Sequence, residues 1–377
     1  MGVHDLNNAA SAHSESNPQS KSQSKEGKAY AGKLWQYKQA ETVSLMIHVG
    51  RRLGLFSQMS KSGAVTAAKL AEMSGLHERW VLEWLRLQTA AGIIDLLDDQ
   101  VNEEEHFLLP ETGTKMLGDE SSTSYMLDSF DGGTSAEALE DLLESFHTGI
   151  GHTYESTGAE GAKRGEARHW RAARNQVLPT MIPALEGVED KLTEGCLVAD
   201  VGCGDGAVVL ALAEAFPKSS FHAFDASKHS VARIREVASE MKLNNVEVTH
   251  ARGEDLPQDS AYDLIITFDC IHDMTKPQEV IAKIRGSIKA DGTWFIKDIR
   301  SKPKLRDNLR NPMLAMMYGF SLMSCMSSAM SEPGGAGLGT LGFNPEVAEN
   351  MSRAAGFSRF KMHDFKDPGN LYYEVRV

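Results

Sequence analysis

Basic residues are in short supply in this chain. Lys and Arg number 39 against 52 Asp and Glu, giving a net charge of −13 over 377 residues. Such an excess repels nucleic-acid phosphates, so a polynucleotide is not the expected substrate. Cysteine is scarce too. Cys196, Cys203, Cys270 and Cys325 are scattered without metal-site or disulfide-framework spacing, which predicts reduced thiols, a cytoplasmic setting and no bound metal. Long apolar runs are missing: none reaches the roughly 18 residues that cross a bilayer. The start Met1-Gly2-Val3-His4-Asp5-Leu6 has neither the pattern of a secretion signal nor the Ser or Thr of a myristoylation signal. What remains is a globular chain of ordinary composition, long enough for two or three domains.

The richest stretch is Val198-Ala199-Asp200-Val201-Gly202-Cys203-Gly204-Asp205-Gly206. Residues 196–201 read as a buried strand that breaks into a glycine turn before a helix over 207–216. Gly202, Gly204 and Gly206 let the backbone turn tightly and approach a ligand with no Cβ in the way. The helix start behind them offers free N–H groups and a positive dipole end. Such a turn also passes as a dinucleotide fingerprint, which keeps a NAD-dependent oxidoreductase in view. Asp200 argues against that, because inside the turn it repels a pyrophosphate and attracts a cationic ligand. Residues 221–225 read as the next strand, ending in Asp225 and followed by Ala226. A carboxylate about 20 residues beyond the turn suits ribose hydroxyls. A third strand over 246–250 leads to Gly253-Glu254-Asp255-Leu256-Pro257, whose acids can reach an adenine amino group.

Elsewhere the organisation follows composition and periodicity. Residues 1–28, rich in Ser, Asn, Gln and Lys, are expected to be a disordered tail. Residues 29–115 read as a winged helix-turn-helix: helices over 34–55, 65–76 and 78–91, then a hairpin over 93–109. Charge opposes DNA binding by this domain. Its recognition helix sets Glu78 and Glu83 against Arg79 and Arg86, and its wing carries Asp95, Asp98, Asp99, Glu103, Glu104 and Glu105 with no base. Trp35, Trp80 and Trp84 predict burial against a second subunit, hence a homodimer. Residues 116–194 read as a helical linker with a loop over 146–154, from which His147, His152 and Tyr154 project as substrate-pocket residues.

Residues 195–377 read as the cofactor domain, with strands near 197–201, 220–224, 245–249, 262–268 and 292–298 alternating with helices. That alternation implies a parallel sheet. A final pair over 357–363 and 371–377 closes it. An insertion over 305–341 carries a Met-rich helix and then Gly334–Thr340. We read it as a lid with a glycine hinge, presenting Met317 and Met326 to an apolar substrate.

The fourth strand of the domain runs into Asp269, His272 and Asp273. A histidine here can deprotonate an acceptor near neutral pH, and an adjacent carboxylate can raise its basicity. Asp200-x-Gly202-x-Gly204-x-Gly206, Asp225, Glu254-Asp255 and Phe268-Asp269 resemble, in order and spacing, the motif series of class I S-adenosylmethionine (SAM) methyltransferases. Ile271-His272-Asp273 resembles a stretch of plant-type small-molecule O-methyltransferases, with Met274 where those have tryptophan. Residues 30–377 look still more like the winged-helix SAM methyltransferases known from mycobacteria, on the winged domain, Gly334–Thr340 and Leu371–Arg376.

The resemblance implies an α/β, Rossmann-like, seven-stranded sheet whose last strand is antiparallel. It implies SAM as cofactor, held by Asp200, Gly202, Gly204, Asp225, Ala226, Glu254, Asp255 and Asp269. The reaction it implies is transfer to a hydroxyl of a small molecule, with His272 as general base beside Asp273. Transfer to a thiol, and a ligand-sensing transcription factor on the same fold, are the alternatives. No metal is expected, since Asp298 has no obvious acidic companions of the kind that catechol-type enzymes gather.

Overall fold

The computed structural model describes residues 18–97, 104–163 and 165–377. It divides into two units, 1–133 and 134–377. The boundary falls inside the segment 116–194 that the sequence suggested as a single linker.

The first unit holds helices α1 (Pro18–Arg52), α2 (Leu55–Ser62), α3 (Ala67–Ser74) and α4 (Glu78–Ala90), then strands β1 (Asp95–Leu97) and β2 (His106–Leu108). Thr66 caps α3 by accepting from the Lys69 amide, and Gly75 closes it at φ 67°. The strands β1 and β2 pair antiparallel, and Val65 bridges to Phe107, which ties the hairpin to the helices. Residues 1–17 of the expected tail, and the wing acids Asp98, Asp99 and Glu103, lie outside the described residues. From Pro18 onward the supposed tail is helical. Its Lys and Gln are good helix formers, and they extend a helix that the apolar stretch behind them anchors. The helix expected over 34–55 stops at Arg52, and Gly54 turns the chain into α2.

On α4 the buried positions are Val81, Trp84, Leu85 and Gln88, the i, i+3, i+4, i+7 pattern of one helix face. Trp84 therefore belongs to the core of its own unit rather than to a subunit contact. Its indole donates to the Met46 carbonyl at 2.8 Å, and its ring meets Phe56 edge-on at 5.1 Å. Trp80, off that face, is 79% exposed, and Trp35 is 73% exposed.

The second unit is built on a seven-stranded sheet. Its strands are β3 (Leu197–Val201), β4 (Ser220–Asp225), β5 (Val246–His250), β6 (Tyr262–Phe268), β7 (Ile288–Ile299), β8 (Arg359–His363) and β9 (Asn370–Arg376). Their order is β5-β4-β3-β6-β7-β9-β8, with β9 antiparallel to both its neighbours and the β3–β7 ladders parallel. This is the α/β class that the sequence implied. The central strands bury both faces, which is why they read as continuous apolar runs such as Leu264–Ile266 and Trp294–Ile296. Helices Ala207–Ala215 and Lys228–Glu240 cover one face, and Pro277–Ser287 and Pro345–Ala354 the other. Among the described residues no helix is long and apolar enough to cross a membrane.

The insertion differs from its expected form. Instead of one Met-rich helix it has Leu314–Phe320, a wide π-helical turn Ser321–Cys325, and Met326–Ala329. The glycine segment after it is tied down at two points. The Ala336 amide donates to the Thr275 carbonyl at 2.9 Å and the Gly339 amide to the His272 carbonyl at 3.2 Å. A Cβ at Gly339 would stand 2.5 Å from Ser321 Oγ, so glycine here permits close packing.

Candidate active site

The carboxyl ends of β3, β4 and β6 converge, as ligand crevices do in open parallel sheets. After β3 the chain turns at Gly202, with φ 70°, where a Cβ would lie 2.8 Å from that of Cys270. Asp225, at the end of β4, braces this turn: it accepts from the Gly204 amide and from the Ser227 amide, each at 2.8 Å. Asp205 accepts from the Ala207 amide at 3.0 Å, and its other oxygen lies 2.5 Å from His169 Nδ1.

Asp200 is 3% exposed. Burial, and then the nearby charges of Asp225 and Asp205, push its carboxyl up to about 8. Burial also raises Asp225, against the pull of its two amide bonds. Carboxylates crowded together in low dielectric call for a cation in their midst. SAM, with an ammonium and a sulfonium, fits this cluster, whereas a pyrophosphate does not.

The remaining expected cofactor contacts divide. Asp255 accepts from the Arg252 amide in the turn Gly253–Asp255, and Glu254 pairs with the Arg252 side chain at 3.2 Å. Ala226 is exposed, with its carbonyl 2.8 Å from His250 Nε2. Asp269 does not join the group. Its φ of 52° swings the carboxylate toward β7 and β9, where it pairs with Lys297 and accepts from Asn370 Nδ2 at 2.6 Å.

Beyond β6, Ile271–Asp273 forms a single 3₁₀ turn. His272 is 2% exposed and stands between two carboxylates, with Nδ1 2.7 Å from Asp298 Oδ1 and Nε2 3.0 Å from Asp273 Oδ1. Burial alone would strip the imidazole of its proton. The charges of Asp298 and Asp273 outweigh burial and hold it well above its ordinary value. Asp298 reaches this place because Phe268 pairs with Lys297 in the β6–β7 ladder, which sets the residues beyond each side by side. Spacing along the chain does not report that pairing.

Tyr154 points its hydroxyl inward, 3.7 Å from Cys325 Sγ, although the residue is 42% exposed overall. Burial of that hydroxyl, then the Asp273 charge, keep the phenol well above its ordinary value and therefore a proton donor. The His152 amide donates to Ser327 Oγ at 2.8 Å, fastening the loop to the Met-rich segment. His147 stays exposed at the end of helix Ala136–Thr148 and does not reach this corner. Met317 and Met326 are half-buried, and Met313, Met316, Met323 and Phe320 add exposed apolar surface.

Three participants escaped the sequence reading. His169 meets the glycine turn at Asp205. Glu155 accepts from Ser227 Oγ at 2.9 Å and the Lys228 amide at 3.0 Å, just past Asp225. Cys325 Sγ lies within 4.8 Å of ligand atoms of both His272 and Asp273. None of the three carried a signal in the sequence; only Asp205, the partner of His169, was visible, as part of the glycine motif.

Residues 192–339 match a family model described as a methyltransferase domain, and residues 41–118 match an Rv2258c-like winged HTH domain. Over 112 residues the chain is 29% identical to (S)-tetrahydroprotoberberine N-methyltransferase of Eschscholzia californica and 31% identical to (S)-coclaurine N-methyltransferase of Papaver somniferum. Each match covers 30% of this chain, and the chain spans about a third, 32%, of the length of these relatives. Its fold is similar to that of human N-acetylserotonin methyltransferase solved with SAM, with a TM-score of 0.64, 16% identity, and 96% of this chain and 99% of that one covered. A mitomycin 7-O-methyltransferase is similar with a TM-score of 0.66 and 16% identity over 94% of this chain and 99% of that one.

Proposed function

We propose that this chain, which joins an Rv2258c-like winged HTH domain to a class I methyltransferase domain, moves the methyl group of SAM to a hydroxyl oxygen of a small molecule, with His272 as general base. The observation that carries the reading is the His272–Asp298 pair at the carboxyl end of β6. SAM, when bound, supplies an electrophilic methyl carbon, and the protein has then to hold the acceptor in line, exclude water and accept its proton. Asp298 fixes the imidazole through Nδ1 and stabilises the charge that forms on it. That leaves Nε2 of the neutral imidazole as the atom that takes the acceptor's proton. Tyr154, a hydrogen-bond donor at the same corner, orients the acceptor oxygen. The apolar Met317 and Met326 favour a largely apolar acceptor. On the cofactor side, Asp200 balances the positive charge of SAM, Asp225 holds the ribose hydroxyls and Asp255 the adenine.

Ion pairing on α4 supports a small acceptor rather than DNA. In α4, Arg79 pairs with Glu83 and Arg86 with Glu105, each within 3 Å, which neutralises the helix that would enter a groove.

A screen of phenols, alcohols, thiols and carboxylic acids with methyl-labelled SAM tests the reading. With the hydroxyl substrate so found, His272→Ala should lower turnover roughly 10²–10⁴-fold while SAM affinity stays nearly intact. Wild-type turnover should rise with pH as the imidazole loses its proton, and that rise should vanish in the variant. Unchanged turnover from pH 6 to 9 would remove His272 from the chemistry and favour a thiol acceptor, which ionises more readily.

A further inference from the structure

Cys325 is left unused by a reaction that runs on His272, yet the fold delivers it to the same corner. A ring nitrogen of His272, a carboxylate oxygen of Asp273 and Cys325 Sγ lie within 4.8 Å of one another. Three observations give this closeness a meaning.

The imidazole is backed by a carboxylate, with Nδ1 2.7 Å from the buried Asp298. Metal-ligating histidines are commonly held this way, because the carboxylate sets the tautomer and strengthens Nε2 as a donor. Asp273 Oδ1, the second donor, is shut away from solvent and makes no hydrogen bond. At 3.0 Å from Nε2 it has the distance of an ion pair without hydrogen-bond geometry. A buried carboxylate oxygen without a hydrogen bond is free to ligate a cation. Third, the π-helical turn Ser321–Cys325 is one residue wider per turn than an α-helix, and such turns occur often at functional sites. Cys325 closes that turn.

Nitrogen, carboxylate oxygen and thiolate sulfur together are a borderline-soft donor set. It suits zinc, and not magnesium or calcium, which take oxygen ligands. Three protein ligands leave the fourth tetrahedral position open, as in exchangeable and catalytic zinc sites. The Tyr154 hydroxyl, 3.7 Å from Cys325 Sγ, borders that position.

We propose that His272, Asp273 and Cys325 form a binding site for one zinc-class divalent cation, and that the bound ion occupies Nε2 and so blocks the base. Binding goes beyond the methyl-transfer reading and does not depend on it; only the blocking rests on the role of His272.

The test is calorimetric titration of the metal-free full chain with zinc chloride, without SAM or acceptor, alongside absorption spectra of the cobalt(II)-loaded protein. We expect one ion per chain and a thiolate-to-cobalt charge-transfer band. Cys325→Ser should abolish the band and weaken zinc binding at least about tenfold, and Asp298→Asn should weaken it roughly 10–100-fold. SAM titrations of both variants check that they remain folded. Absence of a one-to-one isotherm, or an affinity unchanged by Cys325→Ser, would overturn the site. Zinc binding that leaves methyl transfer untouched would overturn the blocking of His272 alone.

Discussion

Replacing Asp200 by asparagine should move two properties of this protein in opposite directions. In the folded chain without cofactor the carboxyl is buried and pushed from an ordinary 3.8 to about 8. Below pH 4 the folded and unfolded chains both carry the proton, so the group has no effect on stability. As pH rises from 4 to 8, the unfolded chain gains by ionising and the folded chain does not, so folding loses ground. At pH 7 the ceiling on this loss is on the order of 4 kcal/mol, at about 1.4 kcal/mol per pH unit. Asparagine has no such proton to lose. Asp200→Asn should therefore raise the melting temperature by several degrees at pH 7, and the advantage should shrink to nothing near pH 4. SAM binding should respond the other way. With the carboxyl pushed up to about 8, wild-type affinity should climb as pH rises toward 8 and then level off. The variant should bind more weakly above pH 8 and show no such climb. Scanning calorimetry from pH 4 to 9 and isothermal titration over the same range read both effects. A melting difference that does not grow with pH, or wild-type affinity that is flat in pH, would refute the reasoning.

Three further outcomes follow from the geometry. Asp225→Ala should weaken SAM binding by roughly 1–3 kcal/mol, the scale for losing a charged hydrogen-bond partner, and calorimetry showing unchanged affinity would move the ribose site elsewhere. Asp298→Asn leaves the imidazole without its orienting charge, so turnover should fall while the acceptor KM changes little, and the pH at which turnover rises should move down. An unshifted pH profile would show Asp298 to be merely structural. Trp35 and Trp80, 73% and 79% exposed, should bury against a second copy of the chain. Sedimentation of a monomer at micromolar concentration, with or without residues 1–28, would refute that.

Much of the cofactor domain was legible because its signals are local. A strand buried on both faces is an unbroken apolar run, and a glycine turn between strand and helix is contiguous in sequence. Asp225 and Asp255 could be placed by counting from that turn. Asp269 looked equivalent, but its side chain follows a positive φ toward Lys297 and Asn370, and no spacing rule reports a backbone torsion. Asp298 and Cys325 were opaque for another reason. Each meets His272 only through a distant ladder or a widened helical turn. In the first unit, three tryptophans looked alike by composition. Helical phase separates them, putting Trp84 on the face shared by Val81, Leu85 and Gln88.

The place of β9 in the sheet has a consequence for biosynthesis. It is the last strand in chain order, yet it lies between β7 and β8 with neighbours on both sides. While a ribosome is still making residues 370–376, β7 has no partner along that flank. A bare edge of that length, flanked by Trp294, Phe295 and Ile296, is a template for pairing with another nascent chain. The sheet therefore closes only after nearly all of the described chain has been synthesised. A stop codon shortly before residue 370 should therefore leave an open, adhesive sheet rather than a slightly shortened enzyme.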